Sequence, residues 1–247
     1  IYLYTLMRKL KKYKFTKVYD LQNSNRTSFY KKILFPNSNS ETWSSTETTL
    51  PEGTSKKQFD KEGVLKRFEH QLKSSGINAK NVLKPDFSWS CENISDLKNN
   101  FKLHKYILLF PFSSPRLIIK RWPYYNNLIE KIKSEYLNEF QIVVAPGPDE
   151  IKIANKFNAI CVLDEGKAIN ISQLSSLIKD SSFVVSNDTG PAHMTAHLNK
   201  KGLVLFGSHT TAEKVSIETE YFKAIQVSDL SKLSAENVFE KLKLAIS

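Results

Sequence analysis

Glycine is scarce in this chain, with 8 in 247 residues, and none of them builds a Gly-x-Gly-x-x-Gly turn. That absence argues against a dinucleotide-dependent dehydrogenase. Cysteine is scarcer still. Cys91 and Cys161 are the only two, which rules out a disulfide framework and offers no metal-ligand spacing. Cys161 stands in the apolar run Ala159-Ile160-Cys161-Val162-Leu163, most simply as a small buried hydrophobe. A reducing, cytoplasmic setting fits this usage. No apolar run approaches the ~20 residues that cross a bilayer, and no signal peptide is evident. No serine nucleophile elbow or convincing His-Asp-Ser order is present, which argues against a hydrolase. Acidic residues are also short, 25 against 36 Lys and Arg, so the formal net charge is +11.

What is present belongs to a globular protein. Hydrophobic residues make up 40% of the chain and aromatic residues 11%, enough for a core in one large domain or two small ones. The positive charge is concentrated early, at Arg8, Lys9, Lys11, Lys12, Lys14 and Lys17. Such a patch attracts nucleic acid, anionic lipid or an acidic substrate. No RNA-binding aromatic pattern, zinc spacing or helix-turn-helix accompanies it, so no nucleic-acid partner is expected. A solvated helix face and a peripheral contact with an anionic membrane both remain open.

The clearest pattern lies in residues 182–211. Phe183-Val184-Val185 is short enough for a buried strand, and Asn187-Asp188-Thr189-Gly190 supplies a turn. Pro191 suits a first helical turn, where its missing N–H costs nothing. A short helix over residues 192–198 and a second strand, Leu203-Val204-Leu205-Phe206, follow. This is the repeating unit of a parallel α/β sheet. Ligands of such sheets sit beyond the strands' carboxyl ends, where helix N-termini offer free N–H groups to anions. Asp188, Thr189, Gly190 and His193 fall at that place. Asp188 reads either as a helix cap or as a ligand contact, and His193 either as a surface histidine or as a phosphate donor.

These residues carry a resemblance. Asn187-Asp188-Thr189-Gly190-Pro191-Ala192-His193, with Leu205-Phe206-Gly207 after a short helix, is similar to the C-terminal signature of the ADP-heptose–lipopolysaccharide heptosyltransferases, glycosyltransferase family nine. The resemblance implies the α/β GT-B architecture, with two Rossmann-like domains, and sugar transfer with inversion from a nucleotide donor. It implies no cofactor and no metal.

Other segments are read beside that resemblance. Tyr106-Ile107-Leu108-Leu109-Phe110 reads as a strand that opens into Ser113, Ser114 and then Lys120-Arg121-Trp122-Pro123. The family has a hydroxyl-rich turn and a Lys-x-Trp-Pro element here, which implies Ser113, Ser114 and Lys120 as donor-binding positions. A lysine there would stabilise the charge of a departing nucleoside diphosphate, whereas a lone loop lysine is merely solvated. Trp122 reads as a packing residue. Residues 142–145 form the next strand, and Glu150 in its outlet matches a family glutamate on the donor ribose. It equally suits a first helical turn through the helix dipole. Strands near residues 159–163 and 221–227 and helices near 124–136, 151–157, 171–177 and 234–246 complete the expected domain.

The first hundred residues are less regular. An amphipathic helix over residues 1–10 starts the chain without a methionine, and a short strand over residues 17–22 resembles one in the family's N-terminal domain. That placement implies an incomplete N-terminal domain, exposed apolar surface, and a catalytic base upstream of Ile1. Residues 35–57 are Ser/Thr-rich and read as a long loop, residues 59–72 as a helix, and residues 83–100 as an interdomain connection. The expected division is residues 1–100 on the acceptor side, 101–230 binding a nucleotide sugar, and 231–247 as a closing helix. Two leading readings of function remain. One is an inverting glycosyltransferase in the cytoplasm, peripheral to the inner membrane or not, with an ADP-heptose-like donor and a lipid-linked or glycan acceptor. The other is a non-catalytic or degenerate nucleotide-sugar-binding fragment. A sugar epimerase of the same architecture is a third.

Overall fold

The computed structural model describes residues 2–10, 12–136 and 139–246, so Ile1, Lys11 and Ser247 lie outside the described residues. The chain divides into two compact units, Ile1–Lys84 and Pro85–Ser247.

In the first unit, α1 (Tyr2–Leu10) precedes β1 (Val18–Tyr19), α2 (Asn25–Leu34), β2 (Trp43–Ser44), α3 (Lys56–Phe59) and α4 (Val64–Ser74). The expected loop over residues 35–57 is interrupted by β2, which pairs parallel to β1 with Val18 opposite Trp43. Gln71 of α4 is fully buried, and its amide donates to the Asp20 carbonyl at 3.0 Å and the Ser44 carbonyl at 3.1 Å. One side chain thus bridges the carbonyls at the ends of both short strands, adding to the Asp20 N–H that Ser44 already accepts at 2.7 Å. The expected helix over residues 59–72 is broken. Ser55 caps α3 in a capping box with Gln58, and Gly63 holds extended angles just before α4. Tyr4, Tyr13, Phe15 and Phe29 are exposed in this unit.

The second unit contains α5 (Ser95–Asn100), β3 (Tyr106–Phe110), α6 (Tyr125–Tyr136), β4 (Gln141–Val144), α7 (Ile151–Ala154), β5 (Ile160–Cys161), α8 (Ile171–Asp180) and β6 (Phe183–Asn187). It continues with α9 (Gly190–His197), β7 (Gly202–Phe206), α10 (Ala212–Val215), β8 (Phe222–Gln226) and α11 (Ala235–Ile246). The sheet is parallel throughout, in the order β5-β4-β3-β6-β7-β8. Strands β3 and β7 read as unbroken apolar runs because both faces are covered. Ile107, Leu109, Val185 and Leu205 point into the core closed by α6 and α11. Leu108, Phe110, Val143 and Val184 point to the opposite core with Leu177 and Ile178 of α8. Each of these buried aliphatic or aromatic side chains contributes roughly 1.5–3 kcal/mol.

The boundary expected at residue 100 lies earlier. Ile94 and Leu97 are buried with Leu103 and Leu108, and the Ser90 hydroxyl donates to Ser175 of α8 at 2.7 Å. Residues 85–100 are therefore part of the second unit's core, not a connection. The C-terminal helix likewise belongs to that unit, with Val238, Phe239 and Leu242 buried among α6 and sheet residues.

Strand order reverses between β3 and β6, and that point directs a ligand to the crevice beyond their carboxyl ends. Phe110 lies opposite Ser186 in the register, so the loop after Phe110 and the turn after Asn187 leave the sheet side by side.

Candidate donor site at the strand outlets

Asn187 ties those two outlets together. It is fully buried, and its amide nitrogen donates to the Phe112 carbonyl at 3.2 Å. Its amide oxygen accepts from the Trp122 backbone N–H at 3.2 Å and from the Tyr125 hydroxyl at 3.3 Å. The Trp122 indole N–H donates to the Leu233 carbonyl at 2.7 Å, which confirms packing as that residue's role. With Trp122 pinned at both ends, Lys120, two residues earlier, is held over the β6 turn.

Lys120 Nζ donates to Asp188 Oδ2 at 2.6 Å and to the Asp188 carbonyl at 3.3 Å. The same Oδ2 accepts from His209 Nε2 at 3.0 Å. His193 Nε2 stands 3.7 Å from Oδ1, too far for a hydrogen bond. Burial alone would raise the Asp188 carboxyl, but the surrounding His193, Lys120 and His209 outweigh it and hold the group well below the usual carboxylate range. Asp188 was expected as a helix cap or as a ligand contact. It faces a lysine and a histidine from two other loops, because a carboxylate whose side chain is 4% exposed must find cationic or N–H partners. It does not cap α9 either: Thr189 is the N-cap, and no side chain bonds to the helix start. The N-terminus of α9 is left open.

The other expected residues gather around a cavity of about 310 Å³ lined by Phe112, Ser113, Ser114, Gly147, Glu150 and Thr189, among others. Its size is at the lower end of the range for small-molecule sites. Ser113 is committed internally, donating to the Leu117 carbonyl at 3.0 Å and accepting from Arg121 Nε at 3.1 Å. Ser114 is exposed at the mouth. Glu150 Oε2 accepts the Gly147 N–H at 2.9 Å, so one carboxylate oxygen closes the turn. The Thr189 hydroxyl donates to the Asn187 carbonyl at 3.3 Å. A Cβ placed on Gly190 would meet no atom within 4 Å, so space lies open directly above the helix start.

Asn187, Arg121 and His209 were not among the expected site residues. Arg121 grips the Ser113 carbonyl at 2.7 Å and stiffens the loop that carries Lys120. His209 lies at the outlet of β7, next to that of β6, and this adjacency was the signal available for it.

The sequence matches the family model of glycosyltransferase family 9 (heptosyltransferase) over residues 3–242. No protein with a curated description matches. Among solved structures, a glycosyl transferase family 9 protein from Veillonella parvula DSM 2008 superposes with TM-score 0.69 at 13% identity, covering 98% of this chain and 77% of its own. E. coli heptosyltransferase WaaC with ADP-2-deoxy-2-fluoro heptose gives TM-score 0.65 at 17% identity, covering 98% and 76%. E. coli ADP-heptose lps heptosyltransferase II gives TM-score 0.52 at 20% identity over 62% of this chain. This chain spans half the length of that last protein. The likenesses establish the α/β, GT-B type of fold. Because the family match runs from residue 3 to residue 242, the chain belongs to glycosyltransferase family 9, the heptosyltransferase family.

Proposed function

We propose that this protein transfers a heptose-like sugar, with inversion, from a nucleoside-diphosphate donor to a lipopolysaccharide core or related glycan. One observation carries the reading: at the switch point of a parallel sheet, an uncapped helix start, open space above Gly190 and a lysine converge beside a cavity. The ADP-sugar analogue named for E. coli WaaC favours an adenine nucleotide.

In this reading the diphosphate lies at the N-terminus of α9. There the Gly190 backbone approaches closely and the helix dipole favours negative charge. The nucleoside enters the cavity over Phe112 and Gly147, and Glu150 turns its second carboxylate oxygen to the ribose. Breaking the bond between the sugar's anomeric carbon and the phosphate leaves the bonding electron pair on the diphosphate. Lys120 swings from Asp188 to that developing charge, and His193, in the first turn of α9, adds an N–H donor. The acceptor hydroxyl forms the new bond from the opposite face of the sugar and gives up its proton to a general base.

Among the described residues no helix is long and apolar enough to cross a membrane. The basic residues at the end of α1, Arg8 and Lys9, support a peripheral contact with anionic lipid near a lipid-linked acceptor, on the cytoplasmic side.

Titration calorimetry with ADP and UDP on the wild type, Lys120→Ala and Gly190→Val tests the donor site. Loss of a charge-assisted contact predicts about 1.5–3 kcal/mol weaker ADP binding in Lys120→Ala. Undiminished binding in both variants places the donor elsewhere. ADP binding without transfer from ADP-heptose to any core acceptor favours the non-catalytic reading instead.

A further inference from the structure

His209 is buried more deeply than a loop histidine needs to be. Its side chain is 9% exposed, and its ring stacks on Phe206 with centroids 5.9 Å apart and planes 17° apart. The ring lies under Gly207, where a Cβ would sit 3.7 Å from Nδ1. Nε2 faces the Asp188 carboxylate at 3.0 Å, so Nε2 carries the hydrogen. Nδ1 is buried without a hydrogen-bond partner among the described residues. A bare lone pair there is tolerable, whereas a second buried N–H would be left without an acceptor. Nε2–H is therefore the donor to Asp188. A phenylalanine would pack against Phe206 as well and leave no orphaned nitrogen. What the imidazole adds is the bond to Asp188.

That bond matters when Lys120 moves. Lys120 also donates to Oδ2, at 2.6 Å, and a lysine on the donor diphosphate is no longer on Asp188. A buried carboxylate stripped of its partners is strongly disfavoured. His193, at 3.7 Å from Oδ1, does not replace the lost bond. We propose that His209 is a positioning residue of the donor site: its Nε2–H holds the Asp188 carboxylate in place and turned toward β7, so that Lys120 can pass to the diphosphate. The inference rests on the donor-site reading above and extends it to a residue that touches neither nucleotide nor sugar.

The test compares ADP, which presents a diphosphate to Lys120, with adenosine, which does not. His209→Phe keeps the ring stack and removes the donor. Its ADP affinity should fall roughly tenfold, the scale of a lost hydrogen bond to a charged group, while adenosine affinity stays unchanged. His209→Gln returns a donor near the Nε2 position and should regain most of the ADP affinity. His209→Asn, whose amide reaches only the Nδ1 position, should behave like His209→Phe. Wild-type ADP affinity in His209→Phe overturns the inference. So does an equal loss for ADP and adenosine, which marks a structural role, or a folded His209→Gln that binds ADP no better than His209→Phe. A wild type that binds no ADP, or Lys120→Ala that binds it normally, removes the donor-site reading and this inference together.

Discussion

A double-mutant cycle on Lys120 and Asp188 isolates the charge pair at the centre of the site. Lys120→Met removes the ammonium at nearly constant length, and Asp188→Asn removes the carboxylate charge at constant shape. Breaking a fully buried pair by deleting one partner costs about 3–5 kcal/mol. Here Asp188 is 4% exposed but Lys120 is 20% exposed, and His209 remains on Oδ2. The applicable scale is therefore that of one charged hydrogen bond, about 1.5–3 kcal/mol for Lys120→Met. Asp188→Asn costs less, because the released lysine can reach solvent. In the double variant no carboxylate is stranded, so the losses should fall short of additivity by about 1–2 kcal/mol. Native-state hydrogen exchange of the β3 and β6 amides reads the opening of the second unit directly. Additivity within ~0.5 kcal/mol would refute the coupling. The pH dependence has a definite sign. The folded-state carboxyl is depressed from its ordinary 3.8, so its stabilisation is complete above that value and is lost as the pH falls toward the depressed one. Asp188→Asn should lose stability less steeply than the wild type below pH 3.8.

Asn187→Ala should destabilise the second unit by about 2–3 kcal/mol in the same assay, because it leaves the buried Phe112 carbonyl and Trp122 N–H without Asn187, while the Tyr125 hydroxyl keeps the Phe110 carbonyl at 3.3 Å. Gly202→Ala places a Cβ 2.4 Å from the Val184 carbonyl oxygen and 2.9 Å from the Phe222 ring. Thermal unfolding should show a loss of roughly 1–3 kcal/mol or more. Gly190→Ala, with no atom within 4 Å of its Cβ, should leave the melting temperature nearly unchanged and still weaken ADP in calorimetry. Tyr106→Phe removes a buried bond of 2.7 Å to the Leu177 carbonyl and should cost about 1 kcal/mol in denaturant unfolding.

The second unit was legible because parallel strands buried on both faces appear as continuous apolar runs, as in Tyr106–Phe110 and Phe183–Asn187. Each outlet could then be found by reading past the run, and that places Ser113, Glu150 and Asp188 at one edge of the sheet. The β2 strand escaped this approach. Trp43–Ser44 is two residues long, and its burial depends on Gln71, 27 residues away from Ser44. Residues 85–100 escaped because Ile94 lies just before α5, and α5, which carries Leu97, is only 6 residues long, too short to show a period. Asp188's partners were hidden for a third reason. Lys120 and His209 lie 68 and 21 residues from it, and only the fold brings their loops together.

In the proposed donor site, the helix start at Gly190 receives a nucleoside diphosphate with the help of Lys120. A crystal structure of the protein with ADP tests it most directly. Phosphate oxygens should lie within hydrogen-bond distance of the Gly190 N–H and of Lys120 Nζ. Adenosine should occupy the cavity over Phe112 and Gly147, with the Asp188 carboxylate still bonded to His209. ADP bound away from α9, with Lys120 still on Asp188, would contradict it.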